Sequence, residues 1–231
     1  MSQDFQGFSA GFFGFFEELS ANNKRAWFEA NKPRYKEIVQ GELSAFVAAM
    51  APRLRKISAH YLADPRPNGK TIFRIYRDVR FSKDKRPYKE HAACHFRHLS
   101  EADVHGPGYY FHLEPDRVMF GGGIWKPAPE DLKSIRTAIV EDAKGWAKVI
   151  GDAELLDTFE GIHGEGLKRP PKGFPADHPH LEDLKRKTFF VMRRAPVELA
   201  RTDALLDEVE AGYRAAKPLM KFLSKALGAA F

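Results

Sequence analysis

The chain predicts an α+β fold on three observations. Apolar residues recur at helical spacing through residues 9–58. Short aromatic and β-branched runs, separated by turn signals, fill residues 61–125. Helical spacing returns after Pro127. The expected architecture is one domain over residues 1–231, with an antiparallel or mixed central sheet flanked by N-terminal and C-terminal helices. At 231 residues, 43% hydrophobic and 29% charged, the chain has the apolar mass for a sizeable core and lacks the composition of a disordered one.

Each element has a local cause. Ser9 suits the N-cap of a helix that carries Phe12, Phe13, Phe16 and Leu19 at helical spacing and stops at Asn22-Asn23. A second helix is expected to start near Pro33, a residue fitted to the first helical position. Val39, Leu43, Phe46, Val47, Met50, Leu54 and Ile57 then keep a three-four spacing. From Tyr61 the texture changes, punctuated by Asp64-Pro65, Pro67-Asn68-Gly69 and Gly106-Pro107-Gly108. Tyr109–Leu113 and Val118–Phe120 flank Glu114-Pro115-Asp116-Arg117, a hairpin turn with proline at its second position, and Ala92–His98 reads as a neighbouring strand. Residues 127–160 read as helical, with Glu130 and Asp131 at a helix N-terminus and Leu132, Ile135 and Ile139 along its stripe. Residues 161–180 hold four glycines and four prolines and form a long loop, a type that is usually functional or disordered. Thr188–Met192 favours sheet, and a helical tail from Thr202 is interrupted near Pro218, within a last unit spanning 188–228.

Charge is concentrated. The chain has 37 basic and 31 acidic residues, a net +6. Between Arg74 and Lys89 stand seven basic residues (Arg74, Arg77, Arg80, Lys83, Lys85, Arg86, Lys89) and two acids (Asp78, Asp84), so this segment alone carries 7 − 2 = +5. Both an extended and a helical reading of the segment mix arginine with Phe73, Ile75, Tyr76, Val79 and Phe81, and the sequence leaves the two open. Guanidinium is planar, bidentate and weakly hydrated, which suits a partly buried phosphate or carboxylate. The segment is therefore expected to bind a phosphorylated or otherwise anionic small ligand. Arg74, Arg77 and Arg80 recognise charge, Asp78 and Asp84 orient them, and Lys85 and Tyr88 complete the site. Lys168 and Arg169, in the proline-stiffened loop with Lys172, are expected to cap the same cleft. Hydrolase or transferase chemistry stays open, with no catalytic residue or cofactor assigned. Two alternatives compete. In one, the protein is a non-catalytic interaction protein whose carboxylates neutralise the arginines in a structural network. In the other it is a nucleic-acid-binding module, less favoured than a small anion, with Tyr76, Tyr88 or Trp125 stacking on bases.

Other chemistry finds little support. The single Cys94 excludes a disulfide framework and suits a reducing compartment. His91, His95 and His98 lie close together, but no HExxH-type spacing occurs, and no metal site is expected. A metal-dependent phosphodiesterase would need Asp78, Asp84, His112 and Glu114 to meet, which sequence distance alone does not provide. Gly121-Gly122-Gly123 belongs to no P-loop or dinucleotide fingerprint and reads as close packing or a bulge. The apolar stretch Phe5–Phe16 is too short to span a bilayer and lacks a basic leader, so a soluble cytoplasmic protein without a membrane partner is expected.

The pattern Arg-x-x-Arg-Asp-x-Arg-Phe-x-x-Asp-Lys-x-x-Tyr falls on Arg74, Arg77, Asp78, Arg80, Phe81, Asp84, Lys85 and Tyr88. It resembles the signature of a bacterial and fungal family, domain of unknown function 2461. The resemblance extends to Trp27–Lys32, Gly121–Trp125 and Leu167–Pro171, nearly the whole chain. It implies relatives and no particular activity, substrate or cofactor.

Overall fold

A helix opens where the N-terminal phenylalanines begin to recur. In the computed structural model, which describes residues 5–100 and 106–231, Ser9 caps α1 (Ala10–Ala21), its Oγ accepting from the Phe12 N–H at 3.2 Å. Glu42 accepts from the Ser9 N–H at 2.9 Å, tying the cap to a later helix. The expected start near Pro33 is corrected: α2 (Arg25–Arg34) contains that proline. A π-helical turn, Tyr35–Gln40, follows directly and leads into α3 (Gly41–Ile57). Proline removes one ladder hydrogen bond, and the widened turn after it resets the helical phase. Tyr35, Val39 and Leu43 thereby all face the core.

The strands form a four-stranded antiparallel sheet in the order β1 (Ala92–Arg97), β2 (Gly108–Glu114), β3 (Arg117–Ile124) and β4 (Phe189–Pro196). Pro115 and Asp116 make the β2–β3 turn, with Glu114 paired to Arg117. The region after Pro127 divides into α4 (Pro129–Glu141), α5 (Ala143–Ile150) and α6 (Ala153–Phe159). Asp142 and Asp152 cause the divisions, each capping the next helix through its carboxylate. A short helix, α7 (Leu181–Leu184), closes the long loop. β4 runs past the expected Met192 to Pro196 and gives way to a 3-10 turn, Val197–Arg201. The helical tail breaks at Ala216 into α8 (Ala204–Ala215) and α9 (Lys217–Ala226), with Pro218 in the first turn of α9.

Alternation along the strands sorts the sheet into two faces. Cys94, Phe96, Tyr109, Phe111, Val118, Phe120, Phe189 and Val191 point to one face and are fully buried. N-terminal and C-terminal helices both pack there. Phe46 of α3 lies 4.2 Å from Phe111, and Tyr213 of α8 lies 4.7 Å from Tyr109, ring centre to ring centre. Among the described residues no helix is long and apolar enough to cross a membrane.

Because Phe111 is enclosed by Phe8 and Phe46, Phe111→Ala is expected to cost about 3–5 kcal/mol in urea unfolding. Phe81→Ala, at a side chain 94% exposed, is expected to stay within about 0.5 kcal/mol.

Candidate functional site

The same alternation builds the second face of the sheet. One row across it reads His95, Tyr110, Gly121, Met192, and the next reads Ala93, His112, Met119, Arg194. His91 directly precedes β1, so the register carries it alongside Glu114. The helices leave this face open, and a cavity of about 480 Å³ lies on it. Phe73 walls one side, its N–H held by the Ala93 carbonyl at 3.0 Å. Trp125 and Phe190 wall the other, edge to face at 5.1 Å. Glycine makes room in it: a Cβ on Gly108 would lie 2.1 Å from His95 Nε2. Gly123 adopts φ 145°, which side-chain-bearing residues rarely adopt.

His95 is buried, and its Nδ1 has no hydrogen-bond partner among the described residues. Burial, aided by the charge of Arg97, lowers its pKa to about 4, so the ring is neutral at pH 7. Beside it runs a chain of hydrogen bonds. Tyr110 Oη meets His112 Nδ1 at 3.0 Å, His112 Nε2 meets Glu114 Oε1 at 2.8 Å, and Arg117 Nε donates to Glu114 Oε2 at 2.9 Å. Burial opposes ionisation of Glu114, but the bonds from His112 and Arg117 outweigh it and hold the carboxyl below its usual range. An ionised carboxylate only accepts, so the His112 proton sits on Nε2, and Nδ1 accepts from Tyr110. Burial lowers the His112 pKa despite Glu114, and raises that of Tyr110 to about 12. His91 stacks on His112 with ring centres 4.3 Å apart and makes no hydrogen bond to a described residue. Burial and the neighbouring His112 bring its pKa to about 4. Donor atoms of His91, His112 and Glu114 all lie within 4.8 Å of one another, a set that could hold a metal ion.

The basic segment is an extended excursion from the β1 edge, which decides between the two sequence readings. It leaves beside β1, turns, and returns through the pairing of Tyr76 with Tyr88 and bonds from Arg77 N–H to Pro87 O and Lys89 N–H to Ile75 O. Tyr88 is buried and stacks on Phe28 at 4.2 Å. The Asn23 amide pairs with both the N–H and the carbonyl of Tyr88, at 3.1 and 3.0 Å. Tyr88 thus anchors the hairpin. Arg77 pairs with Asp84, Arg80 with Asp78, and Arg86 with both Asp84 and Glu90. Arg74, Lys83, Lys85 and Lys89 have no carboxylate partner among the described residues. Lys85 Nζ donates to Val79 O, and Lys89 Nζ donates to Arg74 O at 2.9 Å, 5.1 Å from the Phe73 ring centre. A second cleft of about 380 Å³ lies beneath the hairpin. Arg77, Arg86, Asp84, Glu90 and Glu114 line it, and Lys89 and His91 are shared with the sheet cavity.

Lys168 and Arg169 are exposed and attach elsewhere. Their loop bonds through His163 N–H to Phe190 O on β4 and through Leu167 N–H to Lys185 O. The sheet therefore stands between the attachment points of the two basic segments. No hydrogen bond or ion pair among the described residues joins them.

A family model described as "Conserved hypothetical protein (DUF2461)" matches residues 11–222. The chain belongs to the DUF2461 family. No curated protein matches it. The DUF2461 match takes in the hairpin, all four strands and the helices packed on them, so both cavities and the Tyr110–His112–Glu114 chain fall within it. In the sequence, His112 and Glu114 appear together only in a set with Asp78 and Asp84, Tyr110 is not singled out, and Lys89 counts only as a charge. The alternation Tyr110-x-His112-x-Glu114 on a strand was the available signal, since it puts three polar groups on one face.

The hairpin is expected to loosen in acid. The Arg80 side chain, then its N–H, holds the Asp78 pKa at about 2 against an ordinary 3.8, and Arg86 and then Arg77 hold Asp84 lower still. Both ionise more readily folded than unfolded, so their pairing stabilises above pH 3.8 and is lost as pH falls toward 2. Amide-exchange protection of Arg77 and Lys89 should drop across that window; protection constant to pH 2 would count against this account.

Proposed function

We propose that the protein binds a small molecule with an apolar body and an anionic group, seated in the cavity on the open face of the sheet. The Lys89 ammonium, on largely apolar walls and without a carboxylate partner among the described residues, carries this reading. Phe73, Tyr110, Met119, Trp125, Phe190 and Met192 supply the apolar contact that small-molecule sites use for affinity. Since Arg77, Arg80 and Arg86 are engaged by Asp78, Asp84 and Glu90, this reading makes Lys89 the direct anchor of the anion. Arg74, Lys83 and Lys85 provide long-range attraction at the rim. Asp78 and Asp84 hold the hairpin arginines, and Tyr88 secures the hairpin that carries Lys89. Lys168 and Arg169, at the far edge, receive no contact with the ligand.

A thermal-shift panel of aryl and alkyl carboxylates and phosphates, each with a neutral analogue, tests this. A binding acid should stabilise the chain by about 2.7 kcal/mol at roughly hundredfold excess over Kd. Lys89→Met and the cavity-filling Ala93→Leu should each abolish the shift, and Arg80→Ala should keep it. Shifts equal for acids and neutral analogues, or retained in both Lys89→Met and Ala93→Leu, would contradict the proposal.

A further inference from the structure

We infer that His91, His112 and Glu114 form a binding site for a divalent first-row transition metal, at the wall between the sheet cavity and the charged cleft. The topology sets the site. His112 and Glu114 stand two apart on β2 and share a face, and the β1–β2 register brings His91 next to Glu114. Their donor atoms fall within 4.8 Å of one another. Adjacent ligands on one metal lie about 3.0–3.4 Å apart when each bond is about 2.1 Å, so closure takes a movement of about an ångström, with His91 turning out of its stack on His112. His112 Nε2 and Glu114 Oε1, 2.8 Å apart, already stand near that separation.

The surroundings fit the chemistry. Metal-bound imidazoles and carboxylates are held by outer partners that fix their orientation. Here Tyr110 holds Nδ1 of His112, and Arg117 holds Oε2 of Glu114, which leaves Nε2 and Oε1 as the metal-facing atoms. When the metal takes Nε2, the imidazole proton moves to Nδ1 and is donated to Tyr110, so the ring stays neutral. His91 supplies the third ligand from an imidazole that makes no hydrogen bond to a described residue. Ala93, opposite His112 and two residues from His91, leaves the space between the rings and the cavity unfilled. Two nitrogens and one oxygen suit Zn²⁺, Co²⁺ or Fe²⁺, whereas Mg²⁺ and Ca²⁺ favour all-oxygen sets. Three protein ligands leave coordination positions open to the cavity. No metal is expected from the sequence, where His91 stands with His95 and His98 and no HExxH-type spacing occurs. His98 is instead turned away, its Nε2 on the Ala230 carbonyl at 2.7 Å.

The test uses the full chain, stripped with a chelator and titrated with Co²⁺ followed by visible absorption, and with Zn²⁺ by calorimetry. One equivalent should bind per chain. Tyr110→Phe, which removes an outer partner, should weaken binding by roughly 10–100-fold, and His91→Ala and Glu114→Gln should weaken it further. His60→Ala, outside the cluster, should leave it unchanged, and Mg²⁺ should not compete. Circular dichroism confirms folding of each variant, and if His112→Ala does not fold, His91→Ala and Glu114→Gln decide the matter. No saturable binding by the folded wild type would overturn the inference. So would binding that persists in both of those variants, or that His60→Ala removes equally. Metal alone is the probe, so the outcome is independent of whether a small acid binds the cavity.

Discussion

The register of β1 on β2, with Ala93 opposite His112 and Phe96 opposite Tyr109, is the constraint on which the rest of the molecule depends. A slip of β1 by one residue would turn Cys94 and Phe96 outward and drive Ala93 and His95 beneath the helices. The exchange is costly, since it exposes a large ring and buries a polar group without partners. The packing of Phe46, Phe8 and Tyr213 against one face therefore fixes the chemistry displayed on the other. These aromatic residues, on the other side of the sheet, position the imidazoles without touching them.

The hairpin shows a different division of labour. Its ion pairs look like its organising feature, yet the Arg80–Asp78 pair is largely exposed. Solvent screens such pairs, so they contribute little. What sets the position of the segment is the stack of Tyr88 on Phe28 and the Asn23 amide, which pairs with Tyr88 as a neighbouring strand would. Packing places the hairpin, and the charges adjust how firmly its tip is held. Lys89 belongs to both systems, since its backbone closes the hairpin and its side chain faces the cavity.

Much of the fold is legible from residues close in sequence. The Ser9 cap, the stop at Asn22 and the Pro115-Asp116 turn are each decided within about one turn of chain, where propensity and side-chain chemistry act alone. The helix start near Pro33 misleads because that proline lies inside α2, and the π turn that follows has no composition signature. The candidate site is less legible. The local excess of charge marks the hairpin correctly as unusual, but which cations stay without carboxylates depends on Glu90 and on how the chain turns back. The approach of His91 to His112 and Glu114 depends on strand register, which no single segment encodes.

Gly108 and Gly123 stand opposite each other on β2 and β3, where the cavity opens. The space on the sheet is thus written partly in atoms that are missing, and a catalogue of reactive groups does not register it. This places the protein at odds with a common route to thermostability. Replacing glycine by alanine ordinarily stabilises a chain by restricting its unfolded state. At Gly108 the added methyl would collide with His95, and at Gly123 it would meet both a disfavoured backbone angle and the Phe189 carbonyl. Selection for a sturdier fold along that route therefore stops at these two positions, and the cavity stays open.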